Sequence, residues 1–220
     1  MKRWILFSLA FIIVIATSFL SYLYIHRAEF LSQAITKAID TPVHIKEIAF
    51  THNGLALEDI RIENPTGTKV KNALTVHKLK VKLNFINLLK ELTGFGAGKI
   101  EITEIKIDKP KMIVELFSIG SSDNNWKKIV DRSSHAQSHS AVPKSQRRFF
   151  IKKFLITNLQ LEVKYAIIPE GSIRPSPIAK IELKNLGEEE PLTTQELLKA
   201  VFQELLDHAA TDLNLKLPKD

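Results

Sequence analysis

A hydrophobic pattern that occurs five times constrains the fold of this chain more than any other feature of its sequence. The pattern is apolar-x-apolar-x-x-apolar-x-apolar, and it covers residues 43–50, 55–62, 74–83, 100–107 and 154–163. Each half alternates with a period of two, as a β-strand with one buried face does. The extra residue in the middle reverses the phase, so we expect a β-bulge or a corner there that keeps one apolar face continuous.

Five such strands predict a curved, mostly antiparallel sheet with one apolar, concave side. Asn53-Gly54 signals a hairpin between the first two strands. Pro65 and Pro110 follow strands and indicate turns or edge positions, and a further strand after Pro110 carries Lys111 and Glu115 on its outer side. The residues predicted to line an apolar groove are Ile45, Ile48, Leu57, Ile60, Val76, Leu79, Ile102, Ile105, Ile156 and Leu159.

Three segments with helical periodicity accompany the strands. Residues 30–39 form one apolar stripe that ends at Asp40-Thr41-Pro42. Residues 84–92 are also expected to be helical. A capping box, Thr193-x-x-Glu196, begins a third helix. The apolar stripe of this helix is broad enough to cover one end or one face of the sheet. Helices and sheet together predict an α+β fold with short amphipathic helices at the ends of the sheet. The residues predicted to cap the sheet are Leu198, Val201, Phe202 and Leu205.

Residues 4–25 form a run of twenty-two residues without a charge. As a helix this run reaches about 33 Å, enough to cross a hydrocarbon core of about 30 Å. Because Lys2 and Arg3 precede it, we predict that residues 1–27 are a transmembrane anchor with the N-terminus in the cytoplasm. A cleaved signal peptide is the alternative, since Ala16-Thr17-Ser18 offers a small-residue cleavage site. The predicted anchor residues are Trp4, Ile5, Leu6, Phe7, Phe11, Ile12, Ile13, Val14, Ile15, Phe19, Leu20, Tyr22 and Tyr24.

The remaining residues, 28–220, are enough for one exported domain with a hydrophobic core. Hydrophobic residues make up 45% and charged residues 25% of the chain, which is typical of a globular protein. The sequence contains no Cys, so it excludes disulfides and thiolate metal sites. A chain without Cys also suits an oxidising compartment, although many proteins elsewhere have few Cys residues.

The net charge of +7 is concentrated in residues 118–153, which hold eight basic and two acidic residues. Because residues 118–148 are rich in Ser and polar residues, they are predicted to form a mobile loop around one helical turn at residues 126–130. Nucleic acid is not an expected partner of an exported protein. The charge suits anionic lipid headgroups or an acidic partner protein, and a solvated loop is the simpler interpretation. The candidate contact residues are Lys144, Arg147, Arg148, Lys152 and Lys153.

The sequence shows no recognisable catalytic arrangement. His135 and His139 have i, i+4 spacing, but no third ligand lies nearby, so a solvated loop is favoured over a metal site. Gly94-x-Gly96-x-Gly98 lacks a following helix with Lys or Ser/Thr at phosphate-binding spacing and is interpreted as a hinge or turn. Gly-x-Ser-x-Gly is absent as well. We therefore predict no enzymatic activity, no metal and no cofactor.

Three stretches resemble AsmA-like envelope proteins of Gram-negative bacteria. TPVHIKEIAFTHNGLALEDIRIENPTG resembles their N-terminal module, which follows an anchor helix. KIEITEIKIDKPKMIVEL is similar to a strand pair with an intervening Pro, and IAKIELKNLGEEEPLTTQELLKAVFQELL to the closing strand and helix of short members. The resemblance covers roughly residues 1–116 and 149–210, and Asn64-Pro65 and Pro110 are its sharper features.

The resemblance implies a single-pass protein of the bacterial inner membrane whose bulk lies in the periplasm. Larger relatives are thought to form long β-grooves that carry phospholipid between the inner and outer membranes. About nine strands at about 4.8 Å each would give this chain a sheet about 43 Å wide, far short of bridging a periplasm. Two hypotheses follow. The chain either binds or helps transport phospholipid, in support of outer-membrane homeostasis, or acts without enzymatic activity as an assembly or scaffolding protein through contacts with other envelope proteins.

Overall fold

The chain forms one large β-sheet with helices packed against it, in a computed structural model. The structure describes residues 18, 21–22, 24–93, 98–118, 123–138, 148–166, 172–173, 177–193, 196–197, 199–201 and 203–205. Within these ranges the helices are α1 (Arg27–Ile39), α2 (Phe85–Leu92) and α3 (Asn125–Ser138). The strands are β1 (Val43–His44), β2 (Glu47–Thr51), β3 (Gly54–Glu63), β4 (Asn72–Leu83), β5 (Lys99–Asp108), β6 (Lys111–Leu116), β7 (Arg148–Tyr165), β8 (Ser172–Ile173) and β9 (Ile178–Leu186). The described residues from 196 to 205 are helical as well.

Three pairs of strands run end to end, so the nine strands that the structure describes occupy six positions across the sheet. Strands β1 and β2 both pair with β3, and β8 and β9 both pair with β7. Strands β5 and β6 share β4 on one side and β7 on the other. Only the pairings of β7 with β5 and β6 are parallel; the other pairings of described strands are antiparallel. The predicted α+β class with a mostly antiparallel sheet is confirmed.

This end-to-end arrangement corrects the expected width of the sheet. Six positions at about 4.8 Å each span about 29 Å, about two thirds of the width that nine separate strands would give. The length of the sheet lies along its strands instead. Strand β7 alone has 18 residues, which extend about 59 Å at about 3.3 Å per residue.

Four of the five phase reversals of the sequence pattern lie on one line across the sheet. Asp59, Lys109 and Asn158 have left-handed backbone conformations, with φ of 50°, 49° and 54°. The strand registers place Asp59 opposite His77 and Lys109 beside Asn158, while Lys46 lies at the break between β1 and β2. We call these five positions the reversal line. A left-handed residue shifts the alternation by one position, so the apolar residues on both sides of the line share one face, as predicted.

The reversal in β5 lies away from this line. The register of β4 against β5 shifts between Lys82 and Leu83, opposite Thr103, which places a bulge inside the predicted pattern. On the line itself the chain passes through Lys109 and Pro110. Strand β5 ends before Pro110, as predicted, but β6 continues in the same direction between the same two neighbours, so the predicted turn or edge position at Pro110 is wrong. Pro110 is fully buried between β4 and β7. An interior Pro is tolerated there because the irregular backbone requires no ladder hydrogen bond from its nitrogen, while its carbonyl accepts from the N–H of Gln160 at 2.9 Å.

The outer face of the sheet carries ion pairs between neighbouring strands. Lys78 Nζ lies 2.7 Å from Glu58 Oε1, and Glu162, only 3% exposed, pairs with Lys111 and Lys164. Hydrogen bonds from lysines lower the pKa of Glu58, Glu104 and Glu182. These contacts hold the outer face as a charged, solvated surface. Further pairs are Lys82–Glu104, Lys153–Glu104, Lys152–Glu101, Lys180–Glu182 and Lys184–Glu182.

Two helices differ from their predicted limits. Helix α1 begins at Arg27, three residues before the predicted start, and Phe30 is 42% exposed although the predicted stripe included it. Leu31, Ile35 and Ile39 of the predicted stripe do face the sheet, and Ala28 joins them. Helix α3 has 14 residues, where one helical turn was expected. Its buried Trp126 and Ile129 join the main hydrophobic cluster, so tertiary packing supplies the stability that its Ser-rich sequence lacks.

Side-chain caps fix the beginnings of α2 and of the helix that follows Thr193. Asn84 Oδ1 accepts from the N–H groups of Ile86 and Asn87 at the start of α2. The predicted capping box is confirmed, since Thr193 N donates to Glu196 Oε2 at 2.7 Å and Glu196 N donates to Thr193 Oγ1 at 3.3 Å. The backbone hydrogen bond from Thr193 also lowers the pKa of Glu196.

Candidate functional site

The ten residues predicted to line a groove all lie on the inner, apolar face of the sheet. Eight of them are buried, whereas Leu79 and Ile105 are half-buried. They divide between two hydrophobic clusters. Ile45, Ile48, Leu57, Ile60 and Val76 belong to the cluster under α1, with Leu79 packed against it. The others, Ile102, Ile105, Ile156 and Leu159, belong to or pack against the main cluster.

Helix α1 is fixed to the edge of the sheet by polar contacts as well as by its apolar side. The N–H of Val43 donates to Thr36 Oγ1 and that of Ile45 donates to Ser32 Oγ, both at 2.9 Å. Arg27 Nε donates to the carbonyl of Ile48 at 2.6 Å. These bonds satisfy backbone groups of an edge strand that would otherwise be open to pairing with another chain. The α1 end of the apolar face is therefore closed by the protein itself.

The main cluster is covered by three separate helical segments. Trp126 and Ile129 of α3 are buried in it, and Leu88 of α2 packs against it. Of the predicted cap residues, Val201 and Leu205 are half-buried and pack against this cluster. Leu198 and Phe202 lie outside the described residues. The structure thus brings the C-terminal helix onto the inner face, as a partly exposed cover.

The two clusters form one continuous apolar surface. Ile62, Leu74, Val81 and Ile107 pack against both of them. These residues come from β3, β4 and β5, the central strands, on both sides of the reversal line. The apolar face consequently extends along the strands from one end of the sheet to the other, beneath helices and not beneath a second sheet.

The predicted headgroup contacts are ion-paired where the structure describes them. Arg148 Nη1 lies 2.9 Å from Glu190 Oε1 and also donates to the carbonyl of Pro191. Lys152 pairs with Glu101 at 2.6 Å, and Lys153 with Glu104 at 3.6 Å. These three side chains belong to the cross-strand ion pairs and the adjoining turn. Lys144 and Arg147 lie outside the described residues.

Of the predicted anchor, the structure describes residues 18, 21–22 and 24–27. Tyr22 and Tyr24 are 53% and 60% exposed, and residues 21–22 and 24–25 are helical. Among the described residues, no helix is both long and apolar enough to span a membrane. The predicted anchor residues from Trp4 to Leu20 lie outside this part of the chain.

A buried polar network at one end of the sheet has no counterpart in the sequence-based predictions. Glu115, expected on the outer side of its strand, is 1% exposed, and its carboxylate accepts from the N–H groups of Lys69 and Val70. Asn125 Oδ1 accepts from the N–H of Glu115 at 2.9 Å, and Asn125 Nδ2 donates to Asn64 Oδ1 at 2.6 Å. The Asn64-Pro65 motif is thus a structural element that fixes the β3–β4 loop against α3.

An exposed apolar surface at the other end was also missed. Phe50, Phe85, Ile86 and Leu89 are 59%, 36%, 68% and 62% exposed, and the rings of Phe50 and Phe85 lie 6.2 Å apart. We call these four residues the apolar patch. It borders a cleft of about 410 Å³ between the β2–β3 hairpin and α2, whose lining includes His52, Asn53 and Asn84. The signal in the sequence was the excess of apolar residues in Asn84–Leu92 over what one buried side of a short helix requires.

The described side chains offer no arrangement of three His, Cys, Asp or Glu residues that could hold a metal ion. His135 is in α3, but its side chain and the whole of His139 lie outside the described set. Where the pKa of a carboxylate is shifted, it is lowered, by hydrogen bonds from lysines or from neighbouring polar groups. Such shifts keep these groups ionised and suit structural ion pairs.

The geometry defines a class of protein: an α+β domain with a charged outer face and a long apolar inner face covered by amphipathic helices. The sequence profile of the AsmA family matches residues 1–170. The chain therefore belongs to the AsmA family, which indicates an envelope-associated function. No curated protein and no solved structure matches the chain.

Proposed function

We propose that this chain is an inner-membrane protein of the AsmA family, anchored by residues 1–27, that binds phospholipid and contributes to its transport in the periplasm. The observation that carries the proposal is the continuous apolar inner face, which helices cover along the strands. Helices held by half-buried side chains such as Val201 and Leu205 can separate from such a face at lower cost than a hydrogen-bonded sheet can. An acyl chain would then replace the helix on the exposed face.

The narrow sheet limits what one copy does. Across six strand positions the sheet is about 29 Å wide, and its strands extend about 59 Å at most. A single domain of this size holds or passes on lipid close to one membrane. Transport over a longer distance requires further copies or other envelope proteins as partners.

This function is tested by measuring the phospholipid that remains bound to the full-length protein after purification in detergent. Ile105 is half-buried on the inner face, and Lys106 is the next residue on the outer face. We expect phospholipid to co-purify at a near-stoichiometric level by mass spectrometry. Ile105→Asn should lower that level several-fold, while the matched control Lys106→Asn leaves it unchanged. A wild-type protein without phospholipid would contradict the proposal.

A second candidate function is assembly or scaffolding through protein contacts. The burial of eight of the ten predicted groove residues favours it, because a closed core leaves little room for lipid. Val201→Asp separates the two functions. In a closed core this change costs about 1–3 kcal/mol of unfolding free energy, whereas a movable helix tolerates it and phospholipid exchange becomes faster. Urea unfolding and lipid exchange measured on the same variant distinguish these outcomes.

A further inference from the structure

The apolar patch lies at a defined end of the sheet. Phe50 is next to the end of β2, and α2, which carries Phe85, Ile86 and Leu89, joins the end of β4 to the start of β5. Asn53 and Leu83, at the bases of these two connections, are linked by a backbone hydrogen bond of 3.0 Å. The patch is therefore one surface built from the β2–β3 hairpin and α2. Contiguous exposed apolar side chains beside polar residues are typical of interaction sites.

Helix α1 points its N-terminus towards this same end. Along α1, Thr36 contacts Val43, Ser32 contacts Ile45, and Arg27 contacts Ile48. The helix consequently runs antiparallel to the β1–β2 edge, and its first residue lies beside the strand that leads to Phe50. Residues 22–26 extend a helix by about 7 Å, and the strand from Ile48 to Thr51 extends by about 10 Å. Both reach the same end of the molecule.

The chain that precedes α1 identifies what meets this end. Residues 4–25 are uncharged and long enough to cross a bilayer. Tyr22, Tyr24 and Ile25, at the end of this run, are 53%, 60% and 71% exposed. Tyr side chains at the end of an apolar run are typical of the membrane–water interface. A bilayer around residues 4–25 would therefore face the apolar patch.

We propose that the apolar patch is a second membrane contact, with α2 lying in the interface of the same bilayer that residues 4–25 cross; this rests on the proposed anchoring. An interfacial helix buries its apolar side about 5–10 Å into the headgroup and acyl boundary. Ile86 and Leu89 would enter that boundary. The polar lining of the adjacent cleft, His52, Asn53 and Asn84, would lie at the level of the headgroups. The anchor keeps the patch close to lipid, which makes even a small apolar surface effective.

Two contacts also orient the domain. A single anchor allows the sheet to tilt, whereas a second contact at the hairpin and α2 directs the strands away from the membrane. The end with Glu115 and Asn125 would then project up to about 59 Å from the bilayer, the extended length of β7. The inner apolar face would begin at the lipid surface.

Single-cysteine labelling tests this contact directly, because the chain contains no Cys. The full-length protein is reconstituted in phosphatidylethanolamine–phosphatidylglycerol vesicles with and without brominated phospholipid. A fluorescent label is placed by Ser18→Cys in the apolar run, by Ile86→Cys or Leu89→Cys in the patch, and by Lys71→Cys in the β3–β4 loop at the far end. We expect strong quenching at 18, intermediate quenching at 86 and 89, and several-fold less at 71.

The outcomes separate the two proposals. Quenching at 18 without quenching at 86 and 89 overturns the second contact and supports the anchor. No quenching at 18 overturns both. Equal quenching at 71 and 86 means that the domain lies flat on the bilayer, which also overturns the proposed orientation. If Ile86→Cys instead yields a disulfide-linked dimer at high yield, a second copy of the chain covers the patch and the lipid contact is wrong.

Discussion

The two ends of the sheet depart from the usual distribution of polar and apolar residues in opposite directions. At the polar end, formed by the β3–β4 loop, Glu115 and the start of α3, charged and amide side chains are buried. At the apolar end, formed by the β2–β3 hairpin and α2, Ile86 and Leu89 are exposed to solvent. Both ends are built from the same strands, on either side of the reversal line.

The two ends differ in whether the fold itself explains their composition. The polar end is explained within the fold, since among the described residues no buried side-chain N or O atom lacks a hydrogen-bond partner. Exposure of the apolar end does nothing for folding, because apolar side chains stabilise a protein only when they leave water. The fold accounts for the polar end, and the proposed membrane contact would account for the apolar end.

Removal of the side-chain amide of Asn125, at the centre of the buried polar network, should have the largest effect on stability. Asn125→Ala leaves the N–H of Glu115 and the Oδ1 of Asn64 without their partner, and each unsatisfied buried group costs about 1–3 kcal/mol. Because Asn64 is only half-buried and water can replace its lost partner, we expect the free energy of unfolding to fall by about 2–4 kcal/mol in total. Urea unfolding followed by the fluorescence of the buried Trp126 measures this loss.

Lys127→Ala is the matched control for this change. Lys127 is two residues along the same helix and exposed, so its replacement should change stability by less than about 0.5 kcal/mol. Equal effects of the two substitutions would mean that the polar end is not held by its buried network. The contrast between the ends would then lose its basis.

A substitution on the reversal line should have the next largest effect. Asn158 is exposed but has φ of 54°, a conformation that a β-branched residue adopts only with strain. Asn158→Val should cost about 1–2 kcal/mol, whereas Asn158→Gly should be nearly neutral. Thermal unfolding of the two variants compares them. If Val is tolerated as well as Gly, the left-handed residue does not join the two halves of the sheet.

The reversal line was largely predictable from the sequence. The doubled residues between Leu57 and Ile60 and between Ile156 and Leu159 show where the alternation changes face. Asp59 and Asn158, at these positions, are residue types that tolerate a left-handed backbone. The bulge at Thr103 follows the same logic, but its displacement from the line depends on strand register, which periodicity does not specify.

The polar end and the length of α3 could not be predicted in the same way. Glu115 alternates with apolar residues and is indistinguishable in sequence from a solvated outer residue. Its burial depends on the N–H groups of Lys69 and Val70, which are distant in the chain. Helix α3 likewise depends on packing against α1, a contact between segments almost a hundred residues apart. Local patterns contain no information on such partners.

Acidification is expected to have a smaller effect on the stability of the fold. Hydrogen bonds from His77 and Lys46 lower the pKa of Asp59 on the reversal line from its ordinary 3.8. A lowered pKa stabilises the fold fully above the ordinary value, and this contribution is lost as the pH falls through the lowered one. The urea concentration at the midpoint of unfolding should therefore decrease as the pH is lowered below about 4. This decrease should be less steep in Asp59→Asn. Glu188→Gln, which removes an exposed carboxylate in a turn, is the control and should reproduce the wild-type decline.

Substitutions in the apolar patch should have the smallest effect on stability. Ile86 and Leu89 are 68% and 62% exposed, so Ile86→Ser with Leu89→Ser should change the free energy of unfolding in detergent by less than about 0.5 kcal/mol. Leu88→Ser, on the buried side of the same helix, should cost clearly more, since Leu88 packs against the main cluster. A large loss from the double variant would mean that the patch belongs to the core. A neutral double variant that also loses label quenching by brominated lipid at Phe50→Cys would show that the patch serves a contact outside the fold.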